Sequence, residues 1–257
     1  MEDSGDLIYQ GHKSSEFGIN IMFPFTLVHP VPDLTPTHIK GRSGDFLQHD
    51  GSYQNVTQTF DIFVNRPLNY SSQSDWDRAV ASWLKPRIDR NRRIKYEWLK
   101  FSYDPEYVFS ATIQNPYTVT WNSVNEYIGT GNIPFYCEPF QYRIDGITYQ
   151  DLPQLGSVYN TENEIAIPDW HFIANGTFTL NVNGLEYQFE NMEGEFWVSG
   201  DTSDTYDKNN KLFNGQVHFP NLIAPILPPG QNTITLTAET GTTITKAEYK
   251  PKWRRLI

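Results

Sequence analysis

The residue types that could perform covalent chemistry are few and widely spaced in this sequence. A nucleophilic site needs a Ser or Cys beside a histidine base, but no Gly-x-Ser-x-Gly turn is present, and Cys137 sits near two prolines in "PFYCEPF". The six histidines show no His-Glu-x-x-His spacing. We therefore expect Cys137 to be a small buried thiol, and we expect neither a metal nor a cofactor.

Clustered carboxylates are the second candidate for chemistry, because glycosidases use two of them at a set separation. Four glutamates fall in one predicted hairpin: Glu186, Glu190, Glu193 and Glu195. Acidic residues along strand edges also prevent edge-to-edge aggregation, which explains them more simply. The acidic stretch "DTSDTYDKNN" lacks the glycine and the closing glutamate of an EF-hand calcium loop, so a solvated loop is favoured. The sequence predicts a protein that is not an enzyme.

Two glycines three positions apart, Gly41 and Gly44, precede a regular alternating segment. A Gly-x-x-Gly turn can cradle phosphate, but neither a Lys-Ser/Thr pair nor a helix follows it here. Glycine reaches positive φ without a steric cost, and Asp45 and Asp50 can hydrogen-bond to their own backbone. Residues 41–52 are therefore predicted to form turns or a protruding loop.

One basic run, "KPRIDRNRRIK", stands out from the acidic background. Its cations are Lys85, Arg87, Arg90, Arg92, Arg93 and Lys95. One interpretation is a solvated helix exit whose cations favour the C-terminal helix dipole. The other is a contact with an acidic subunit, because arginine binds carboxylates through two parallel hydrogen bonds. Nucleic-acid binding ranks third, since one loop offers few phosphate contacts.

Only one segment, "SQSDWDRAVASWLKP", has the pattern of a good helix. Trp76 and Trp83 fall on its apolar face and are predicted to be core residues that pack against the strand at 56–64. Ser74 is the predicted N-cap, and Pro86 is expected to end the helix because the residue before a proline is forced out of the α region.

The rest of the sequence predicts short strands and turns. In the strand at 56–64, the apolar face is interrupted only by Gln58. The segments "RIKYEWLKFSYD" and "EYVFSATIQ" are predicted to pair through a turn at Asp104 and Pro105. After a looser connector, strands follow at the close intervals typical of a sandwich or jelly roll. The sequence therefore predicts two mainly β domains, the first with one helix.

Composition narrows the function classes. The chain has 257 residues, enough for one large domain or two ordinary ones, and its net charge of −10 opposes binding to nucleic acid. Aromatic residues make up 15% of the chain, which suits half-buried sheets and interfaces.

The one cysteine excludes an intramolecular disulfide. The first ten residues lack the apolar core of a signal peptide and "LIAPIL" is too short to span a bilayer, so we expect folding in a reducing cytosol.

Several motifs occur in a recognisable order. The first half contains "IYQGHKSSEFGINI", the Gly-Arg-x-Gly-Asp loop and strand of "IKGRSGDFLQHDGSYQNVTQTFDIFV", "DWDRAVASWL", "FSYDPEYVFSATI" and "IPFYCEPFQYR". The second half contains "GTFTLNVNGLEY", "GQVHFPNLIAPILPPGQNTITLT" and "YKPKWRRLI". In this order they resemble the distal tail (Dit) proteins of long-tailed bacteriophages, the siphoviruses, over essentially the whole chain. Trp253 and Arg254 depart from the Pro-Arg-Trp-Trp that often closes the family, and the chain has no room for an inserted carbohydrate-binding module.

The resemblance implies a fold and a place in the virion. Residues 1–143 would form a split β-barrel-like domain with one helix that assembles into a ring, commonly a hexamer, at the end of the tail tube. Residues 144–257 would form a galectin-like β-sandwich. The ring, single or stacked in pairs, would be a baseplate hub at the tail tip, assembled in the cytoplasm of the host bacterium.

The resemblance also implies partners. The hub would join the major tail tube protein to the tail-associated (Tal) protein and to receptor-binding or other baseplate proteins, around a DNA channel whose acidic balance repels phosphate. It would neither bind nucleic acid specifically nor insert into a membrane. The expected ring or partner contacts are Gly41, Arg42, Gly44 and Asp45, together with Arg87, Arg90, Arg92 and Arg93.

A module that binds host cell-wall carbohydrate is the alternative. The surplus of Trp and Tyr and the sandwich-like second half favour it. Galectins, however, read sugars with a His/Asn/Arg set and a stacking tryptophan, and no such set aligns around Trp170 or Trp197. Fold alone does not confer function.

Overall fold

The computed structural model describes residues 5–89, 92–153 and 156–257, without the side chain of Asp50. These residues are mainly β, with one α-helix and four short 3-10 helices. They separate into two compact units: unit 1 lies within 1–141 and includes Leu256–Ile257, and unit 2 spans 142–255. That residues 1–143 and residues 144–257 each fold as a domain stays a prediction.

The first ten strands and the helix build unit 1. The strands are β1 Leu7–Tyr9, β2 His12–Lys13, β3 Ile19–Ile21, β4 Pro32–His38, β5 Asp45–Tyr53, β6 Val56–Asn65, β7 Glu97–Phe101, β8 Tyr107–Thr112, β9 Thr118–Trp121 and β10 Ile128–Arg143, and the helix is α1 Gln73–Leu84. One nine-stranded sheet has the order β2-β1-β7-β8-β10-β6-β3, with β9 and the last strand of the chain also pairing β10. The predicted pairing of β7 with β8 is confirmed.

Helix α1 packs its apolar face into the core of unit 1, as predicted. The indole N–H groups of Trp76 and Trp83 donate to the backbone carbonyls of Phe17 and Tyr9, at 2.7 and 2.8 Å. The predicted N-cap at Ser74 is wrong. The cap is Ser72, whose hydroxyl accepts the N–H of Asp75 at 3.1 Å. The side chain of an N-cap residue accepts the backbone N–H of the residue two or three positions later. With Ser72 as the cap, the helix begins at Gln73.

Strand β6 alternates buried and outward residues, as predicted, and Gln58 belongs to the buried row. Its side chain is 1% exposed. An amide can be buried at little cost only when its donors and acceptors are bonded. Its partner is the backbone of Val28, on the segment that leads into β4.

Strands β4 and β5 form a separate two-stranded sheet. The prediction of turns or a protruding loop over 41–52 is therefore wrong for most of that range, because β5 begins at Asp45 and only 39–44 connect the strands. Gly51, with φ +92°, lies where the register shifts between Pro32 and Leu34. A bulge with a glycine at positive φ is compatible with a strand, and the Asp-Gly pair marks this bulge instead of a turn.

Unit 2 is built around one long hairpin. Its strands are β11 Gln150–Asp151, β12 Ser157–Asn160, β13 Asp169–Val182, β14 Leu185–Val198, β15 Thr205–Tyr206, β16 Val217–His218, β17 Gly230–Ala238 and β18 Thr243–Lys250, followed by β19 Arg254–Leu256. The order β11-β18-β13-β14-β15 forms one part of an eight-stranded sheet, and β17 joins β12 to the far half of β13. Rings from β13 and β14 fill the core, among them Trp170, Phe172, Phe178, Phe189 and Phe196.

Candidate assembly surfaces

The β4–β5 hairpin exposes an aliphatic face. All seven residues of β4 are exposed. Leu34 and Pro36 share one face, and Leu47 lies directly opposite Pro36, so the leucines belong to the same face. Leu34 and Leu47 are 42% and 57% exposed. Exposed aliphatic side chains that adjoin one another in this way are a candidate surface for protein–protein contact.

The base of the hairpin is fixed to the body of unit 1. Gln58 bonds both backbone polar groups of Val28, and the N–H of Gln54 donates to the carbonyl of Val31 at 3.0 Å. Just past β5, the side-chain amide of Asn55 donates to the Tyr96 hydroxyl at 2.7 Å. The exposed face therefore projects from a fixed base.

The tip of the hairpin carries the predicted glycine loop. Gly41 and Gly44 both have φ of +84°, and a Cβ on either would meet no atom within 4 Å. Glycine is therefore required there by backbone conformation and not by lack of space. Arg42 lies between them, and Asp45 pairs with His38 at 3.2 Å with both side chains at least half exposed.

The basic run leaves α1 and turns back on itself. Arg93 and Asp89 are linked by two hydrogen bonds: the backbone N–H of Asp89 donates to the Arg93 carbonyl at 2.9 Å, and the N–H of Arg93 donates to the Asp89 carboxylate at 2.8 Å. Arg87 lies 3.7 Å from Glu97. Arg92 and Arg93 are exposed, and Arg90 lies outside the described residues.

The expected contact residues form two separate groups, one at the hairpin tip and one after α1. Within the described ranges, no hydrogen bond or ion pair joins the tip at 41–45 to the loop at 87–93. Sequence reasoning missed the aliphatic face of the hairpin, with Leu34 and Leu47. The signal was present: in "PDLTPTH" apolar residues alternate with polar ones, which indicates a strand with one apolar face.

Several of the residues considered for catalysis are buried or lie beside another side chain. Cys137 is buried, as predicted, and burial raises the pKa of its thiol to about 12. Of the β14 glutamates, Glu195 lies 3.1 Å from His171 and Glu190 lies 3.3 Å from His218. In the parts of the chain that the structure describes, no group of three or more His, Cys, Asp or Glu is placed to hold a metal ion. None of the described helices has the length and apolar character needed to cross a membrane.

The two tryptophans considered for sugar stacking are buried or flanked by other rings. Trp170 is 0% exposed, and its N–H donates to the Pro225 carbonyl at 3.3 Å. Trp197 stacks on His171 at a centroid distance of 4.8 Å and on Tyr206 at 6.3 Å. These partners lie on the strands that flank β14, so Trp197 has a ring beside each of its faces.

Comparison with known proteins identifies the fold. No family model and no curated protein matches the sequence. One solved structure that matches is the Dit protein (gp 19.1) of phage SPP1, a paradigm of the hub adsorption apparatus in phages that infect Gram-positive bacteria. The two chains superpose with a TM-score of 0.60 and are 15% identical in sequence. The match covers 95% of this chain and 96% of the SPP1 chain. The chain has the Dit fold. The phage p2 baseplate in its activated, Sr-containing conformation is also similar, at TM-score 0.48 and 10% identity, with 95% of each chain covered.

The Dit fold confirms the predicted fold class and, at the level of structure, the resemblance seen in the order of motifs. It extends over both units, since the covered share of each chain is above nine tenths. The hairpin, the basic loop and the β13–β14 hairpin are therefore parts of one Dit-like chain.

Proposed function

We propose that this protein is a structural component of a phage tail, a distal tail hub that forms a hexameric ring joining the tail tube to the tail-associated and receptor-binding proteins around the DNA channel. The observation that carries the proposal is the Dit fold over 95% of the chain. The role is non-enzymatic, needs no cofactor, and places the protein in the virion after assembly in the bacterial cytoplasm.

The β4–β5 hairpin supports ring formation. Its face with Leu34 and Leu47 is exposed and its base is anchored, so a neighbouring copy can bury that face without refolding it. A head-to-tail contact that closes by rotation produces a ring. Gly41, Arg42, Gly44 and Asp45, at the tip, would then contact the next copy or the tube.

Light scattering on a sizing column at several protein concentrations tests the ring. A mass of six copies of 29.7 kDa, or of twelve for two stacked rings, is the expected result. A protein that stays monomeric at every concentration contradicts it.

A matched pair of variants tests the hairpin. Leu34→Asp with Leu47→Asp should release monomers, because an interface core tolerates no unpaired charge. Thr35→Asp with Gln48→Asp places the same charges on the opposite face of the same strands and should leave the ring intact. Equal effects of the two pairs of substitutions would show that the aliphatic face is not part of the interface.

The alternative, a module for host cell-wall carbohydrate, has less support because Trp170 is buried and Trp197 stacks between His171 and Tyr206. A glycan array gives the direct test. Binding that is lost in Trp197→Ala would favour the alternative, and no signal for the unaltered protein is the result expected here.

A further inference from the structure

Three aromatic rings of unit 1 form a cluster that reaches the surface. The rings belong to Phe23, Phe25 and Tyr103, which we call the aromatic patch. Their centroids lie 5.4 Å apart for the two phenylalanines, and Tyr103 lies 6.1 Å from Phe23 and 5.0 Å from Phe25. Phe23 is 50% exposed and Tyr103 is 66% exposed. Exposed rings packed side by side form an apolar surface that a protein partner can bury.

The aromatic patch is continuous with the core of unit 1. The Phe25 ring meets the Phe101 ring edge-on, at a centroid distance of 4.9 Å, and Tyr103 stacks on Phe101 at 6.0 Å. Phe101, at the end of β7, is 2% exposed. The outer rings therefore rest on a buried one, and a partner that covers them orders few mobile side chains, which limits the entropy lost on binding.

The backbone that carries the rings is held by hydrogen bonds. The N–H of Asp104 donates to the Phe101 carbonyl at 3.0 Å and closes a turn that contains Tyr103. On the other segment, immediately before the first ring, the N–H of Met22 donates to the Asp61 carbonyl of β6 at 2.8 Å. Both segments of the aromatic patch are thus fixed to the main sheet of unit 1.

The aromatic patch and the β4–β5 hairpin share one anchored segment. Phe25 and Val28 both lie on the segment that leads into β4. Phe25 packs on the core, and the Gln58 amide bonds both backbone polar groups of Val28. Repeated head-to-tail contacts close into a ring only when each copy holds its two contact surfaces at the same angle. Anchoring on one sheet fixes that angle.

The exposed face of the hairpin needs a second surface in the proposed ring. In a head-to-tail contact, the surface that one copy presents differs from the surface that receives it. Leu34 and Leu47 are exposed, and so are Phe23 and Tyr103, so these two surfaces do not bury one another within one copy. The receiving surface of a neighbour must be apolar, because leucines that cover charged groups remove water from those charges.

Ile88 and Ile94 are a second exposed apolar pair in unit 1, at 60% and 54% exposure. Ile88, however, lines a cleft with four charged side chains: Lys85, Arg87, Lys95 and Glu97. Covering this pair with leucines would remove water from those charges. The three rings of the aromatic patch carry no charge. Asp104 and Glu106, which follow Tyr103 in the chain, are charges that the polar rim of a contact would accommodate.

We propose that the aromatic patch of one copy receives the hairpin face, with Leu34 and Leu47, of a second copy. Buried aromatic and aliphatic side chains at the centre of an interface supply most of its binding energy. Each copy has one hairpin face and one aromatic patch, so the contact is heterologous and closes into a ring when the rotation permits. This inference rests on the proposed ring and names the surface that completes its contact.

Tyr103→Asp tests the aromatic patch in the full chain. It should raise the concentration of half-dissociation, measured by light scattering, about tenfold or more, because a charge in an interface core loses water without gaining a partner. Tyr159→Asp is the matched control, since Tyr159 lies in unit 2 and is 64% exposed. The control should leave the oligomer unchanged. Circular dichroism and thermal unfolding establish that both variants remain folded.

Mixing a hairpin variant with a patch variant gives the decisive result. The hairpin variant is Leu34→Asp with Leu47→Asp, and the patch variant is Phe23→Asp with Tyr103→Asp. Each alone should be monomeric at concentrations at which the unaltered protein is fully assembled. In the mixture, the intact hairpin of the patch variant meets the intact patch of the hairpin variant, and no further contact can follow.

The mixture should therefore form a dimer with one copy of each variant, at twice 29.7 kDa, and nothing larger. Tyr103→Asp alone serves as the patch variant if the double substitution unfolds the protein. Two folded variants that stay monomeric when mixed would overturn the inference. A hairpin variant that dimerises by itself through its intact patch would also overturn it.

The same measurements separate this inference from the proposed function. If the unaltered protein forms a ring and Tyr103→Asp forms it as well as Tyr159→Asp does, this contact is wrong and the ring stands. If the unaltered protein is monomeric at every concentration, the ring itself is wrong, and this inference is wrong with it.

Discussion

The side-chain amide of Gln58 binds both backbone polar groups of Val28. Its oxygen accepts the Val28 N–H at 2.9 Å and its nitrogen donates to the Val28 carbonyl at 2.6 Å. These bonds join a buried strand of the main sheet to the segment that leads into the exposed hairpin. An amide at this one position of an otherwise apolar row therefore fixes the base of the proposed ring contact.

Gln58→Leu should lower the free energy of unfolding by about 1–3 kcal/mol, because leucine fills the space but leaves the N–H and C=O of Val28 unbonded in a partly buried site. Urea unfolding measures the change, and faster hydrogen exchange at Val28 would locate it. Gln48→Leu, on the exposed hairpin, is the control and should change stability by less than about 0.5 kcal/mol. Equal values for the two variants would contradict this role of Gln58.

Two glycines that lie between the N-terminal strands, Gly11 and Gly18, should differ sharply when changed to alanine. At Gly18, φ is +69° and an added Cβ would lie 2.0 Å from the Asn65 carbonyl oxygen, so Gly18→Ala must displace β6. At Gly11, φ is +86° but no atom lies within 4 Å, so Gly11→Ala should cost only the left-handed conformation, about 1 kcal/mol. Thermal unfolding of both proteins compares them. A smaller loss at Gly18 than at Gly11 would be inconsistent with the close approach of Gly18 to the end of β6.

Cys137 should not react with thiol reagents in the folded protein. Burial raises the pKa of its thiol to about 12, and the thiolate is the reactive form. At pH 8, labelling with a chromogenic disulfide should be slow before urea is added and should reach one thiol per chain after unfolding. Labelling of the folded protein at the rate of a free thiol would show that this part of the core opens readily.

The stability of unit 2 should depend on Asp169 at low pH. Burial opposes ionisation of this carboxyl, but Lys252 at 2.7 Å and Lys250 at 2.8 Å outweigh burial and lower its pKa. A carboxyl with a lowered pKa stabilises the fold above its unfolded value of about 3.9, and that stability is lost as pH falls through the folded value. The loss should therefore occur below about pH 4.

Asp169→Asn should remove this acid-sensitive contribution and lower the free energy of unfolding at pH 7 by about 1–3 kcal/mol, since two largely buried lysines lose their shared partner. Urea unfolding at pH 7 and at pH 3 measures both effects. Asp151→Asn, at an exposed position, is the control. If Asp169→Asn keeps the full pH dependence of the unaltered protein, another carboxyl is responsible.

The sequence by itself determined the local elements. The alternation of β6, the apolar face of α1 with Trp76 and Trp83, and the burial of Cys137 follow from side-chain periodicity, because a residue's neighbours in sequence fix which face it occupies. The order of motifs also pointed to the Dit fold, because the elements follow one another along the chain as they do in that fold.

Only the tertiary structure decided which elements meet. Gln58 interrupts an apolar row in the sequence, and its role became visible once Val28, thirty residues away, was placed beside it. The loop that carries Leu68 and the loop that carries Val124 are brought together by the pairing of β6 with β10. Such contacts are set by strand order and by the burial of the whole sheet, and short-range patterns carry no information about either.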